Sequence, residues 1–176
     1  LFLDMAWNAY AVAPEKVGEH QRRWLEREFG PDVAPRAAAL MREHYRLAAE
    51  RKPEHMGWSR IQQPGVRGGI TPVADTEYGS FSAEAFDRVA AYEGLQHEAR
   101  RLEAMLPADR RDAWFELVRY PVEGAALMNK KWLYAQHARR YAAEGLVAAG
   151  EYAAASRQAY DSIRLLTDRY NRETAG

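Results

Sequence analysis

Apolar residues recur at three- and four-residue intervals in five segments of the 176-residue chain, and this spacing predicts amphipathic α-helices. The first predicted helix starts at Pro14 and stops at Gly30, and the second runs from Val33 to the residue before Pro53. Three further helices are predicted from Ser82 to Leu106, from Ala108 to Ala143 and from about Gly150 onward. No segment shows the pattern of a strand. The sequence therefore predicts an all-α fold, an antiparallel bundle of about five helices.

Residues 53–81 interrupt this pattern with repeated prolines and glycines, and no helical period fits them. The segment is predicted to be one long Gly/Pro-rich loop, and loops of such length in compact domains are usually functional or disordered. Trp58 and Tyr78 lie in this loop, where their rings have no helical stripe to join. Two roles stay open for them, contact with a ligand or another domain, and anchoring of the loop to the core.

Large apolar side chains on the helical stripes indicate where the core should be. Trp24, Trp114 and Trp132 each lie on such a stripe, and we expect them to be structural anchors. Pro121 lies inside the predicted fourth helix, where a proline removes one backbone hydrogen bond and clashes with the preceding turn. The sequence therefore predicts a kink near Val118.

Charge and composition narrow the possible functions. Lys and Arg together number 25, as do Asp and Glu, so no net field would attract the chain to nucleic acid or to an anionic membrane. Cysteine is absent, which excludes disulfides and thiolate chemistry. No two histidines share one helix at the spacing of a metal-binding pair, so we expect neither a metal nor a cofactor. The five histidines are His20, His44, His55, His97 and His137.

Pairs of acidic residues are the other candidate chemistry, because a glycosidase uses two carboxylates. Glu26 with Glu28, and Glu50 with Glu54, are such pairs. On helices this rich in charge, however, acidic residues normally form solvated faces with basic partners one turn away. His44, on the buried side of its helix, is expected to be a hydrogen-bonded core residue.

Several phrases in consecutive order resemble glycoside hydrolase family 115, which comprises α-glucuronidases that act on xylan. They are FLDMAWN at 2–8, WLEREFG at 24–30 and RKPE at 51–54, followed by the stretch from LP at 106–107 through RDAWFELV at 111–118 to YPV at 120–122. The family pattern N-x-x-Y-x(6)-R-x-Y-A-A-Q-G also aligns without gaps with the segment from Asn129 to Gly145. Two positions depart from the family pattern, because Trp132 replaces the usual Tyr and Glu144 the usual Gln.

The resemblance implies a secreted or periplasmic multidomain enzyme whose catalytic barrel precedes this chain. Residues 1–13 would connect the barrel to the helical-bundle domain at 14–176, and the opening at Leu1 without Met fits a piece of a longer protein. The enzyme would hydrolyse the α-1,2 bond of glucuronate or its 4-O-methyl ether with inversion. The acid and the base would lie in the barrel, so this chain alone is expected to be inactive.

Partners of the chain are implied in the same way. The bundle would pack against the parent's barrel, reach glucuronoxylan or its oligosaccharides through the parent, and allow a homodimer formed by the full-length protein. Its long loop could reach the active-site rim, with Trp58 and Tyr78 beside the sugar and Arg60 or Arg67 facing the uronate carboxylate. Composition alone also allows a free-standing helical interaction module without activity, and a self-sufficient enzyme is the weakest alternative.

Overall fold

The computed structural model describes residues 2–8, 10, 12–50, 52–53 and 83–173, and these are helical almost throughout. The helices are α1 (Phe2–Trp7), α2 (Val17–Phe29), α3 (Ala34–Glu50), α4 (Ala83–Met105), α5 (Ala108–Trp114), α6 (Tyr120–Ala143) and α7 (Ala148–Glu173). A 3-10 turn at Pro14–Lys16 precedes α2, and a π-helical turn at Phe115–Arg119 joins α5 to α6. The described residues contain no strand. The predicted all-α fold is therefore confirmed.

Short turns at two glycines make consecutive helices antiparallel. Gly30 ends α2 with a φ of 90°, and its N–H donates to the carbonyl of Glu26 at 2.9 Å. Gly145 follows α6 with a φ of 71°. Residues with a side chain rarely adopt either backbone conformation, so replacing either glycine would strain its turn.

The helices pack in chain order around one main core. α2 packs against α3, α3 against α4, α4 against α6, and α6 against α7. α4 lies centrally in this series, and its residues Tyr92, Ala99 and Leu102 are completely buried. The core is largely aliphatic, and its larger members include Leu25, Phe29, Leu40, Met41, Leu47, Tyr92, Leu102, Trp114, Val118 and Val122.

The predicted fourth helix is continuous from Ala108 to Ala143, and its irregular turn occurs where the proline requires it. Pro121 has no N–H to donate, and the π-helical turn at Phe115–Arg119 ends just before it. The wider π-helical turn accommodates the missing backbone hydrogen bond, so the helix continues past Pro121. This π-helical turn includes Val118, near which the sequence predicted a kink.

Trp114 occupies the centre of the core directly before that turn. Its side chain is fully buried, and its ring packs edge-on against Phe29 with the centroids 5.0 Å apart. The indole Nε1 donates to the carbonyl oxygen of Ala99 at 3.1 Å, so the buried N–H is satisfied. Trp24 is partly buried at the edge of the same cluster.

Two of the predicted stripes are rotated relative to the observed ones. On α2, Val17 has the helical spacing that places it on the predicted stripe of Trp24, but it is 36% exposed, whereas Leu25 is fully buried. On α6, Trp132 is only partly buried and packs with a small cluster that includes Leu133 and Val89. α4 packs on the side of α6 that carries Leu133, so Trp132 lies toward the edge of the bundle.

One buried polar contact joins three helices. Arg88 of α4 is 4% exposed, and its Nε donates to Oδ1 of Asn129 on α6 at 2.7 Å. Its Nη1 donates to the carbonyl oxygen of Leu47 in the last turn of α3 at 3.0 Å. Asn129 is also fully buried, and its Nδ2 donates to the carbonyl oxygen of Ala125 at 2.8 Å. The two side chains therefore satisfy one another inside the bundle.

The different burial of the two tryptophans predicts different costs of removal. Trp114→Ala should lower the free energy of unfolding by ~3 to 5 kcal/mol, because a large fully buried ring leaves a cavity. Trp132→Ala should cost roughly half as much, since its ring keeps part of its surface in water. Urea denaturation followed by circular dichroism measures both values, and equal losses would contradict this packing.

Candidate functional site

Several carboxylates in the described part of the bundle form ion pairs with arginines. Glu123 of α6 is 3% exposed, and its Oε1 accepts from Nε of Arg100 at 2.6 Å and from Nε of Arg119 at 2.8 Å. Nη1 of Arg119 also donates to Oε2 of Glu103 at 2.5 Å. This network links α4 to α6 across a half-buried surface.

Neighbouring arginines keep Glu123 and Glu98 ionised. Burial alone would raise the pKa of Glu123, but hydrogen bonds from Arg100 and Arg119, with the charges of both, hold that pKa below its ordinary value. The pKa of Glu98 is lowered in the same way by Arg36 and Arg101, against the effect of burial. A glycosidase needs one carboxyl whose pKa is raised so that it can protonate a leaving group. Glu98 and Glu123 have the opposite property.

The buried histidines that the structure describes serve packing and not metal binding. No group of three or more His, Asp or Glu in the described ranges could hold a metal ion. His44 is buried beside the rings of Tyr45 and Tyr92, at centroid distances of 5.5 and 6.3 Å. His137 is also buried and stacks on Phe86 at 4.1 Å, and burial lowers the pKa of its imidazole. Both side chains serve the packing of the bundle.

A concave surface lies between α3, α6 and α7, and we call it the apolar groove. Its volume is about 680 Å³. Aromatic, aliphatic and proline side chains dominate its walls, with His44 and Lys52 at its polar positions. The apolar members of the lining are Tyr45, Ala48, Pro53, Tyr120, Pro121, Ala125, Met128, Ile163 and Leu166. Such a surface favours contact with another apolar surface.

A second depression continues this face onto α2. Val17, His20, Gln21 and Trp24 line it together with Tyr45, which also lines the apolar groove. Tyr45 thus lies on the ridge between the two depressions, and it is 57% exposed. A tyrosine at such a position has an apolar ring available to a partner and a polar tip in water.

The N-terminal segment exposes further aromatic surface. Trp7 and Tyr10 are 94% and 96% exposed. Isolated exposed apolar residues are common on proteins, but two rings almost entirely in water three residues apart in the chain indicate an interaction surface.

The residues predicted for a substrate rim cannot be placed on this surface. Trp58, Arg60, Arg67 and Tyr78 lie outside the described residues. Their segment begins directly after Pro53, which is buried in the wall of the apolar groove. The rim assignment therefore stays a prediction.

Sequence reasoning missed the residues that give the site its form. None of Arg88, Glu123 and Tyr45 was singled out from the sequence. Arg88 follows Ala85 by three residues and precedes Tyr92 by four, so it occurs on the buried stripe of α4. The signal available in the sequence was therefore a charged residue at a position of the apolar stripe.

Comparison with known proteins relates the chain to one family. The family model described as glycosyl hydrolase family 115 matches residues 1–55. No curated protein matches the chain. Among solved structures, one is described as a novel family GH115 4-O-methyl-alpha-glucuronidase, BtGH115A, with specificity for decorated arabinogalactans. The match has 39% sequence identity and a TM-score of 0.82, and it covers 99% of this chain and 22% of that enzyme.

These matches relate the molecule to the class of the glycoside hydrolases. The chain belongs to glycoside hydrolase family 115, as its ordered phrases predicted. It spans about a fifth of the length of the enzyme that it matches. Among the described helices, none combines the length and hydropathy that a membrane-spanning segment needs.

The ion-paired state of Glu123 predicts a pH-dependent loss of stability. Its folded pKa is below the ordinary 4.5, so its ionised form stabilises the fold above that pH, and the effect disappears as the pH falls through the folded pKa. Glu123→Gln should therefore lower the unfolding free energy by ~2 to 4 kcal/mol at pH 7, because two arginines lose a buried partner. The difference from the unaltered chain should shrink below pH 4.5.

The matched control is Glu26→Gln, which removes an exposed pair with Arg22 on α2. An exposed pair of this kind contributes at most ~0.5 kcal/mol. Denaturation curves collected from pH 3 to pH 8 test both variants. A Glu123→Gln cost that does not change with pH would contradict the electrostatic origin of the effect.

Proposed function

We propose that this chain is a non-catalytic helical domain of an α-glucuronidase, and that it packs on the catalytic domain of its parent. The observation that carries the proposal is the match over 99% of this chain to only 22% of a 4-O-methyl-α-glucuronidase. The lowered pKa values of Glu98 and Glu123 support it, because ionised and ion-paired acids are poor proton donors. The acid and the base then belong to another part of the parent.

The surface proposed for this packing is the face that carries Tyr45. The apolar groove and the depression on α2 meet at this residue, and the exposed rings of Trp7 and Tyr10 add apolar surface in the segment that precedes α2. Residues 1–13 act in this proposal as the connector from the catalytic barrel. Burial of exposed rings against a barrel would stabilise the pair by about 25 cal/mol for each Å² removed from water.

The substrate proposed for the parent is a polysaccharide decorated with glucuronate or 4-O-methylglucuronate. Our sequence reasoning led to xylan, whereas the matched enzyme is described as specific for decorated arabinogalactans. The shared chemistry is an α-linked uronic acid on a neutral backbone, hydrolysed in a secreted or periplasmic setting. The segment with Trp58, Arg60, Arg67 and Tyr78 contributes in this proposal to the substrate rim.

Activity assays test whether the catalytic activity lies outside this chain. The isolated 176-residue chain should release no uronic acid from decorated arabinogalactan or glucuronoxylan, whereas the longer protein that contains it should release it from one of them. Release is measured by anion-exchange chromatography of the products. Hydrolysis by the isolated chain would overturn the proposal, as would the absence of any uronic acid release by the longer protein.

A substitution at Tyr45 tests the packing surface. Tyr45→Glu in the longer protein should place a charge in an apolar contact, so the helical domain should unfold in a separate transition at lower temperature. Leu165→Glu is the control, because Leu165 is 69% exposed on α7 and lines neither depression. Differential scanning calorimetry distinguishes the two variants, and identical thermograms would contradict packing through Tyr45.

A further inference from the structure

A separate groove, which we call the basic groove, follows the seam between α6 and α7, and its charged lining residues are basic. Lys131 and Arg139 of α6 face Arg157 and Tyr160 of α7 across a depression of about 390 Å³. Small residues form its floor, which leaves the charged side chains as its chemical features. The remaining lining residues are Ala135, Ala138, Ala153 and Ser156.

The basic groove continues the line of the apolar groove along the same seam. Gly124, Met128, Lys131, Ala135 and Arg139 follow one another at three- and four-residue spacing, which places them on one face of α6. On α7, the residues of the two grooves are likewise spaced by three or four positions, as Thr167, Ile163, Tyr160, Ser156 and Ala153. One end of the seam is therefore apolar and the other is basic.

These cations differ from most others in the described part of the bundle because they have no acidic partner there. No carboxylate among the described residues lies within 4.0 Å of the charged nitrogens of Lys131, Arg139 or Arg157. The nearest acid in the adjoining depression is Asp161, which lines it together with Arg157 without forming an ion pair. In a chain with balanced charges, three such cations in one groove form a local positive site.

Lys131 is held in place by rings instead of by an acid. Its Nζ lies 5.2 Å from the ring centroid of Trp132 and 5.8 Å from that of Tyr160. Ser156 fixes the adjoining backbone, since its Oγ donates to the carbonyl oxygen of Lys131 at 2.7 Å. Burial lowers the pKa of Lys131, so an anion that approaches it would find a partly desolvated ammonium group.

We propose that the groove of Lys131, Arg139 and Arg157 binds the carboxylate of an acidic glycan. The half-exposed ring of Tyr160 offers a face on which a pyranose can stack, next to the cations that would bind a uronate. An open, shallow groove suits a polysaccharide chain, which presents repeated sugars along its length. The choice of a uronate rests on the proposed function, because the matched enzyme is a 4-O-methylglucuronidase.

Titration of the 176-residue chain with an arabinogalactan oligosaccharide that carries 4-O-methylglucuronate tests this site. Isothermal calorimetry at low salt should show binding that weakens about tenfold or more in the double variant Lys131→Met, Arg157→Gln, since two charge-assisted contacts are lost. The same oligosaccharide with its carboxyl groups reduced to alcohols should bind the unaltered chain with a similar loss. Circular dichroism verifies that each variant is folded.

The matched control is the double variant Arg42→Gln, Arg172→Gln, which removes the same charge from exposed positions outside the groove. It should bind as the unaltered chain does. An equal loss in this control would overturn the proposal in favour of general electrostatic attraction, and so would full displacement of the glycan by equimolar inorganic phosphate. Absence of binding, or unchanged binding after carboxyl reduction, would overturn it as well.

The outcome is separable from the proposed function. A parent that releases uronic acid while this chain binds no acidic glycan would refute the groove alone. A chain that binds the glycan through Lys131 and Arg157, in a parent that releases no uronic acid, would refute the enzymatic proposal alone.

Discussion

The arrangement of the bundle depends on the buried guanidinium of Arg88. Removing such a charge from water costs several kcal/mol, and this cost is offset only when its partners are in place together. Those partners are the amide of Asn129 on α6, the carbonyl of Leu47 and the carboxylate of Glu50 at 3.2 Å. A shift of α3 or α6 along α4 would break at least one of these contacts. Arg88 thereby fixes the register of three helices.

That register shapes the surface on which the proposed function depends. α3 and α6 both pack on α4, and the apolar groove is lined by these two helices together with α7. Its walls place Tyr45 and Ala48 of α3 across from Gly124 and Met128 of α6. Gly124 has no side chain, and no heavy atom would meet a Cβ there within 4 Å, so the groove stays open at this point. A polar clamp inside the bundle thus maintains an apolar surface outside it.

Periodicity and turn residues were sufficient to predict the helices, since the stripe from Val89 to Leu106 and the irregular turn before Pro121 follow from local chemistry. The rotation of α2 was not predictable in this way, because Val17 and Leu25 are both apolar and only contact with α3 selects between them. The grooves escaped prediction for a related reason. Each combines residues from separate helices, and no local pattern records which helices meet.

The seam between α6 and α7 joins an apolar surface to a basic one, and the two differ in how they would respond to a partner. Apolar contact at Tyr45 depends on area and hardly on salt, whereas attraction at Lys131 and Arg157 is screened over about 10 Å at 0.1 M salt. A domain fixed by the first surface could therefore keep its position while the second exchanges a polysaccharide chain. Permanent packing and reversible sugar binding then require no common residue, which allows each surface to be altered without loss of the other.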